Sequence, residues 1–150
     1  MDLSIDQTSP DVDRPEGATS GPDERERKLT RYGVDSLEDD PELRAIADFA
    51  AKLCDTKSAS VTIVERSRQR FLARHGIDGR ETPRSISFCA HAMQGDDLFV
   101  VPDATKDPRF ADNPLVTGAM NVRFYAGAPL VTADGTELGA LCVIDTEPRP

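Results

Sequence analysis

The thiols of this 150-residue chain are Cys54, Cys89 and Cys142, and its imidazoles are His75 and His91. Cys89 and His91 stand two residues apart in the run S-I-S-F-C-A-H-A over residues 85–92. A thiol near a helix start meets the positive end of the helix dipole and loses its proton more readily, which is the chemistry of a nucleophile. Side chains two apart on a helix point nearly opposite ways, however, so His91 is poorly placed to act as the base for Cys89. The plainer reading makes Cys89 a small residue buried under a sheet and His91 a hydrogen-bonding group at a pocket wall or in the core. Three scattered cysteines make no disulfide framework, and the sequence holds no Cys-x-x-Cys pair. Two histidines without placed carboxylates make no metal site. No nucleophile has a base beside it, and catalysis is not expected.

Those residues need elements to hold them. A helix opens at Asp40, an N-cap, with Pro41 at the first helical position, where its missing N–H costs nothing. Leu43, Ile46, Ala50, Leu53 and Cys54 fall on one face at spacings of three and four, so Cys54 is expected in the core. Residues 58–65 alternate and are rich in β-branched side chains, which predicts a strand, and residues 70–75 pair back on it as a hairpin. Residues 76–83 read as a loop. Ser85 or Ser87 then caps a short helix through Phe88 to Met93, and residues 98–101 form a short strand ended by Pro102. The long stretch 103–122 carries one helical turn started by Asp107 and Pro108, and a loop of that length inside a domain is more often functional than idle. Residues 123–131 and 137–144 form a second hairpin around Asp134-Gly135, in which Gly139 permits close approach of a neighbouring backbone or a ligand. The fold class is α+β, with one antiparallel sheet covered on one face by helices.

Composition narrows the partners. Residues 1–40 carry 12 acidic and 5 basic side chains, against 15 and 13 in residues 41–150, and the net charge is −9. That balance argues against nucleic acid or an anionic membrane surface as a partner, since both require a basic face. No apolar run approaches the roughly 20 residues that span a bilayer, and Met1 is followed by Asp2, so a cytoplasmic location is expected. Residues 1–27 lack a face that could repay the entropy of ordering and read as a disordered acidic tail, leaving 28–150 as one domain.

The segments S-I-S-F-C-A-H-A (85–92), V-P-D-A-T-K-D-P-R-F (101–110), R-F-Y-A-G-A-P-L (123–130) and G-A-L-C-V-I-D (139–145) closely resemble the GAF domain family, in particular the GAF domains upstream of bacterial sensor histidine kinases and diguanylate cyclases. The resemblance implies a central antiparallel sheet with helices on one face and a loop-walled pocket on the other, between residues 74 and 122. Members of the family hold small molecules there or serve as dimerising scaffolds. It also implies a sensory domain that binds a small molecule of unspecified identity, forms a homodimer, and signals to a kinase or cyclase module or to a partner protein. No particular cofactor is indicated. The long helix that usually follows the final strand is not seen, so the expectation is a fragment of a receptor or a single-domain form.

Ligand contacts are expected at Arg74, Cys89, His91, Asp103, Arg123 and Tyr125. Arg74, Arg84, Arg109 and Arg123 fall in the pocket-walling segments, where guanidinium groups suit a carboxylate or phosphate, or else pair with Asp103, Asp107 and Asp112 at the surface. Tyr125 is an aromatic wall or an ordinary sheet residue, and Asp145 a turn former. The bilin-binding members place Cys and His adjacent, whereas Ala90 intervenes here. The family's free methionine sulfoxide reductases offer a thiol-enzyme alternative, but none of the three cysteines matches their cysteine-bearing motifs.

Overall fold

The structure, a computed structural model, describes residues 22–149. Six strands form one antiparallel sheet: β1 (Ser58–Val64), β2 (Arg68–His75), β3 (Glu81–Pro83), β4 (Phe99–Val101), β5 (Phe124–Val131) and β6 (Glu137–Asp145), in the spatial order β3-β2-β1-β6-β5-β4. The two hairpins of the sequence reading are β1–β2 and β5–β6, and the long-range step is β1 against β6, with Val61 opposite Leu141. Gly139 lies beneath that step. A Cβ there would stand 2.0 Å from the Thr62 carbonyl oxygen, so only glycine lets the two backbones approach this closely.

Helices α1 (Pro22–Arg31) and α2 (Pro41–Cys54) cover one face. The Asp40 carboxylate caps α2 as expected, accepting from the N–H groups of Glu42 and Leu43 at 2.8 and 3.3 Å. The face that α2 buries differs from the expected one. Ala47 and Ala51, with Leu43 and Ala50 beside them, pack on Ala59, Val61, Ala73 and Val143, while Ile46, Phe49 and Leu53 face outward and Cys54 is exposed. Small side chains on both surfaces let the helix lie close to the sheet, and that closeness, which periodicity alone does not report, selects the alanine stripe.

Helix α1 takes in residues 22–27, so the tail expected over 1–27 is helical from Pro22 on; residues 1–21 lie outside the described residues. Its anchors are Leu29, packed with Val34, Ile63 and Leu72, and a buried Arg25. The Arg25 guanidinium donates to the carbonyls of Glu137 at 2.8 Å and of Val64, clamping α1 across β1 and β6. A charged side chain supplies this anchor, so a search for apolar residues passes over it.

The other face carries α3 (Phe88–Ala92), α4 (Pro114–Thr117) and the loops between β4 and β5. Ser87 caps α3 and Asn113 caps α4, Asn113 also donating to the Ile86 carbonyl at 3.1 Å. The turn expected after Asp107 is present as a hydrogen-bonded turn, Ala111 N–H to Asp107 carbonyl, and the helix lies further along at α4. Strand β3 forms inside the segment read as a loop, because Arg68–Arg70 offer it an edge to pair with. Among the described residues, no helix is long and apolar enough to cross a membrane.

Candidate functional site

Strand alternation sends one set of side chains away from α2 and toward α3. On β1 these are Ser60 and Thr62, on β2 Gln69 and Phe71, on β5 Tyr125, and on β6 Ala140, Cys142 and Ile144. Phe88 and Cys89 of α3 close over them from above, and Leu115, Met120 and Val122 from the side. A small cavity of about 20 Å³ remains between them, room for about one water-sized molecule. Phe88 stacks on Phe110 with ring centres 4.1 Å apart and tilts against Tyr125 at 5.2 Å, so the cavity has an aromatic rim.

The cavity's own surface is largely apolar and carries no charged side chain, and the polar groups around it are paired with one another. Tyr125 Oη donates to Cys89 Sγ at 3.0 Å, and Ser60 Oγ meets Cys142 Sγ at 3.2 Å. Gln69 accepts from Ser87 Oγ and donates to Thr82 Oγ1 at 3.2 Å, tying β2 and β3 to the cap of α3. Burial pushes the Cys89 thiol toward its neutral form, but hydrogen bonds from Cys142, Thr62 and Tyr125 outweigh it and favour the thiolate. The contact with Cys89, together with burial, holds the Cys142 thiol well above its ordinary range, and burial does the same for the Tyr125 phenol.

Of the six residues expected to contact a ligand, the structure brings Cys89 and Tyr125 together at this cavity. The others lie elsewhere. His91 is exposed beside Phe99 and Phe110, its ring edge-on to Phe110 at 4.9 Å; partial burial and the neighbouring Arg109 hold it below the ordinary imidazole range. Arg123 donates to the carbonyls of Val116 and Val122 at 2.9 and 3.0 Å and so fastens the loop ahead of β5. Asp103 caps a 3-10 turn through Thr105. Arg74 lines an open groove with Asp39, Pro41 and Arg44 at the start of α2. Arg109 pairs with Asp107 at 2.7 Å, and Arg84 donates to the Glu65 carbonyl. Arg84, Arg109 and Arg123 are thus held by carbonyls and a surface carboxylate, and none of the four arginines lines the cavity.

Ser60, Gln69 and Cys142 were missed as site residues. The signal was present: Ser60 and Thr62 alternate with the apolar residues of β1, a pattern that ordinarily marks a solvent face. Here both faces of the sheet are covered, so the same polar residues line an interior cavity.

The family model described as "GAF domain" matches residues 40–150. The chain belongs to the GAF domain family. A curated relative, a cyclic di-GMP phosphodiesterase of Pseudomonas aeruginosa, is 55% identical over 100 residues, which make up 67% of this chain and 17% of that protein. Among solved structures, the GAF domain of a phosphoenolpyruvate-protein phosphotransferase from Acinetobacter aligns with a TM-score of 0.56 at 17% identity, covering 84% of this chain and 77% of that one. A type II free methionine-R-sulfoxide reductase from Thermoplasma acidophilum aligns with a TM-score of 0.57 at 13% identity, covering 77% and 78%. At these identities the structural likeness speaks for the fold, and the GAF architecture is the expected one: an antiparallel sheet with α1 and α2 behind it and the cavity in front.

Proposed function

We propose that this GAF domain is a sensory module that holds a small, largely uncharged molecule against the sheet and passes its presence to an output module or partner. The observation that carries the reading is the cavity itself, a buried and largely apolar space between five strands and α3, lined without a charged side chain and bordered by mutually paired hydroxyl, amide and thiol groups. Such a lining suits a compact, neutral and mainly apolar ligand, with the bordering hydroxyl, amide and thiol groups available to a hydrogen-bonding edge. Anything larger than a water-sized molecule requires α3 and the segment carrying α4 to move away from the sheet. Occupancy then biases the domain's shape, and a shape that differs between filled and empty states is the signal. By likeness to the Pseudomonas protein, the output we propose is an enzyme of cyclic di-GMP turnover; a kinase or cyclase module is the alternative output. The reading gives the domain itself no reaction.

The test is native mass spectrometry of the chain purified from its own host, with a denatured mass alongside. An excess mass that disappears on denaturation, and that Tyr125→Phe weakens, is the expected result. A bare mass together with no thermal stabilisation across a library of small neutral metabolites would sink the sensor reading, since a ligand that binds the native state must stabilise it.

A dimerisation role has its own observation. Ile46, Phe49 and Leu53 lie at spacings of three and four on α2 with 46%, 63% and 71% of their surfaces exposed, an apolar stripe on the side away from the sheet. Sedimentation should show reversible self-association that Phe49→Ser abolishes without lowering the melting temperature of the monomer.

A further inference from the structure

Cys89 and Cys142 arrive at the cavity from α3 and β6, 53 positions apart in sequence, and both are 2% exposed. Both sulfurs line the same small space, and they interact closely enough for each to shift the other's proton. Each also has a hydroxyl of its own: Tyr125 Oη donates to Cys89 at 3.0 Å, and Ser60 Oγ lies 3.2 Å from Cys142. Two thiols lining one small space are not needed to fill it, since a valine or alanine would do so without polar partners. The third thiol, Cys54, lies at the end of α2 and is exposed, away from this pair.

We propose that Cys89 and Cys142 form a peroxide-responsive dithiol, a second input to the domain distinct from ligand binding. The space beside the sulfurs admits about one water-sized molecule, which suits hydrogen peroxide and excludes bulky oxidants and disulfides. Cys89 is the attacking sulfur, since it accepts the Tyr125 hydroxyl proton at 3.0 Å, a hydrogen bond that steadies a thiolate. In the first step the Cys89 sulfur takes one peroxide oxygen as the O–O bond breaks; the thiol proton leaves with the other oxygen as water, and Cys89 becomes a sulfenic acid. In the second, the Cys142 sulfur attacks that sulfenic sulfur, the S–O bond breaks, a second water departs and a disulfide remains. Two thiols are oxidised and one peroxide is reduced to two waters. Joining the two sulfurs fastens α3 to β6 and withdraws Cys89 from the Tyr125 hydroxyl, so oxidation changes the lid of the same cavity.

The experiment uses the full chain carrying Cys54→Ser, reduced and then exposed to hydrogen peroxide under native conditions. The expected outcome is an intact mass lower by about 2 Da, simultaneous loss of both free thiols, a cross-link between tryptic peptides 85–106 and 124–150, and recovery on reduction. Cys142→Ser in that background should stop at a species about 16 Da heavier that a sulfenic-acid reagent captures at Cys89, and Tyr125→Phe should slow the first step by about tenfold. Both thiols remaining titratable after peroxide, oxidation of Cys89 to the sulfinic acid without a cross-link, or a disulfide only between chains would each overturn the proposal. The intact-mass measurement leaves both cysteines in place, so it decides the matter even where a substituted variant fails to fold.

Discussion

Gly127 on β5 is the most direct handle on the cavity. A Cβ built on it would stand 2.2 Å from Tyr125 Oη and 2.7 Å from Cζ, because the Tyr125 ring lies back along its own strand to reach Cys89. Gly127 shows no positive φ, so alanine meets no backbone penalty there, and in an open strand position it would be expected to stabilise by roughly 0.5–1 kcal/mol. Against that gain stand about 1–3 kcal/mol for overpacking a filled core and about 1 kcal/mol for displacing the Tyr125–Cys89 hydrogen bond. Gly127→Ala should therefore destabilise by about 1–3 kcal/mol, a fall in melting temperature of roughly 3–10 °C for a domain of this size. Guanidinium denaturation of wild type, Gly127→Ala, Tyr125→Phe and the double variant closes a cycle. With the colliding hydroxyl already gone, the double variant should lose less than the sum of the singles, with a coupling of about 0.5–2 kcal/mol. A Gly127→Ala variant as stable as wild type, or strictly additive costs, would show that the tyrosine does not lie over Gly127 and that the cavity floor is arranged differently.

Gly139→Ala is predicted to be worse, at about 3 kcal/mol or more, because its Cβ meets the Thr62 backbone oxygen, which cannot rotate away; native-state hydrogen exchange should show β1 and β6 losing protection together. Ser87→Ala removes the α3 cap and leaves Gln69 Oε1 without its buried donor, a combined cost of about 1–3 kcal/mol by denaturant melt. His91 has its folded pKa lowered by burial and by Arg109, so the unfolded chain binds more protons between that value and about 6.5; stability should rise with pH across the window and be lost as pH falls through it. An NMR titration should place the His91 midpoint below the ordinary imidazole value, and Arg109→Ala should raise it; an unchanged midpoint would show that the Arg109 charge does not act on the ring.

Where neighbours in sequence are neighbours in space, the chain alone sufficed. Asp40-Pro41 starts α2, Ser87 starts α3, and the β5–β6 hairpin turns at Asp134-Gly135, since caps and turns depend on residues one to four apart. The four GAF-like segments likewise identified the family from the residues themselves. Which polar residues form a site was another matter. Arg74, Arg123, Asp103 and His91 are plausible ligand contacts by type, yet the fold places them in a groove, on loop carbonyls, at a turn cap and on the surface. Cys142 gained its meaning only when β6 paired with β1 and set it beside Ser60, under Cys89 and Tyr125. Alternation along a strand divides residues between two faces but does not say what covers either face. Once α2 settles on its alanines and α3 closes the opposite side, the polar stripe of β1 becomes interior, and the hydrogen-bond partners that make it a site come from residues tens of positions away.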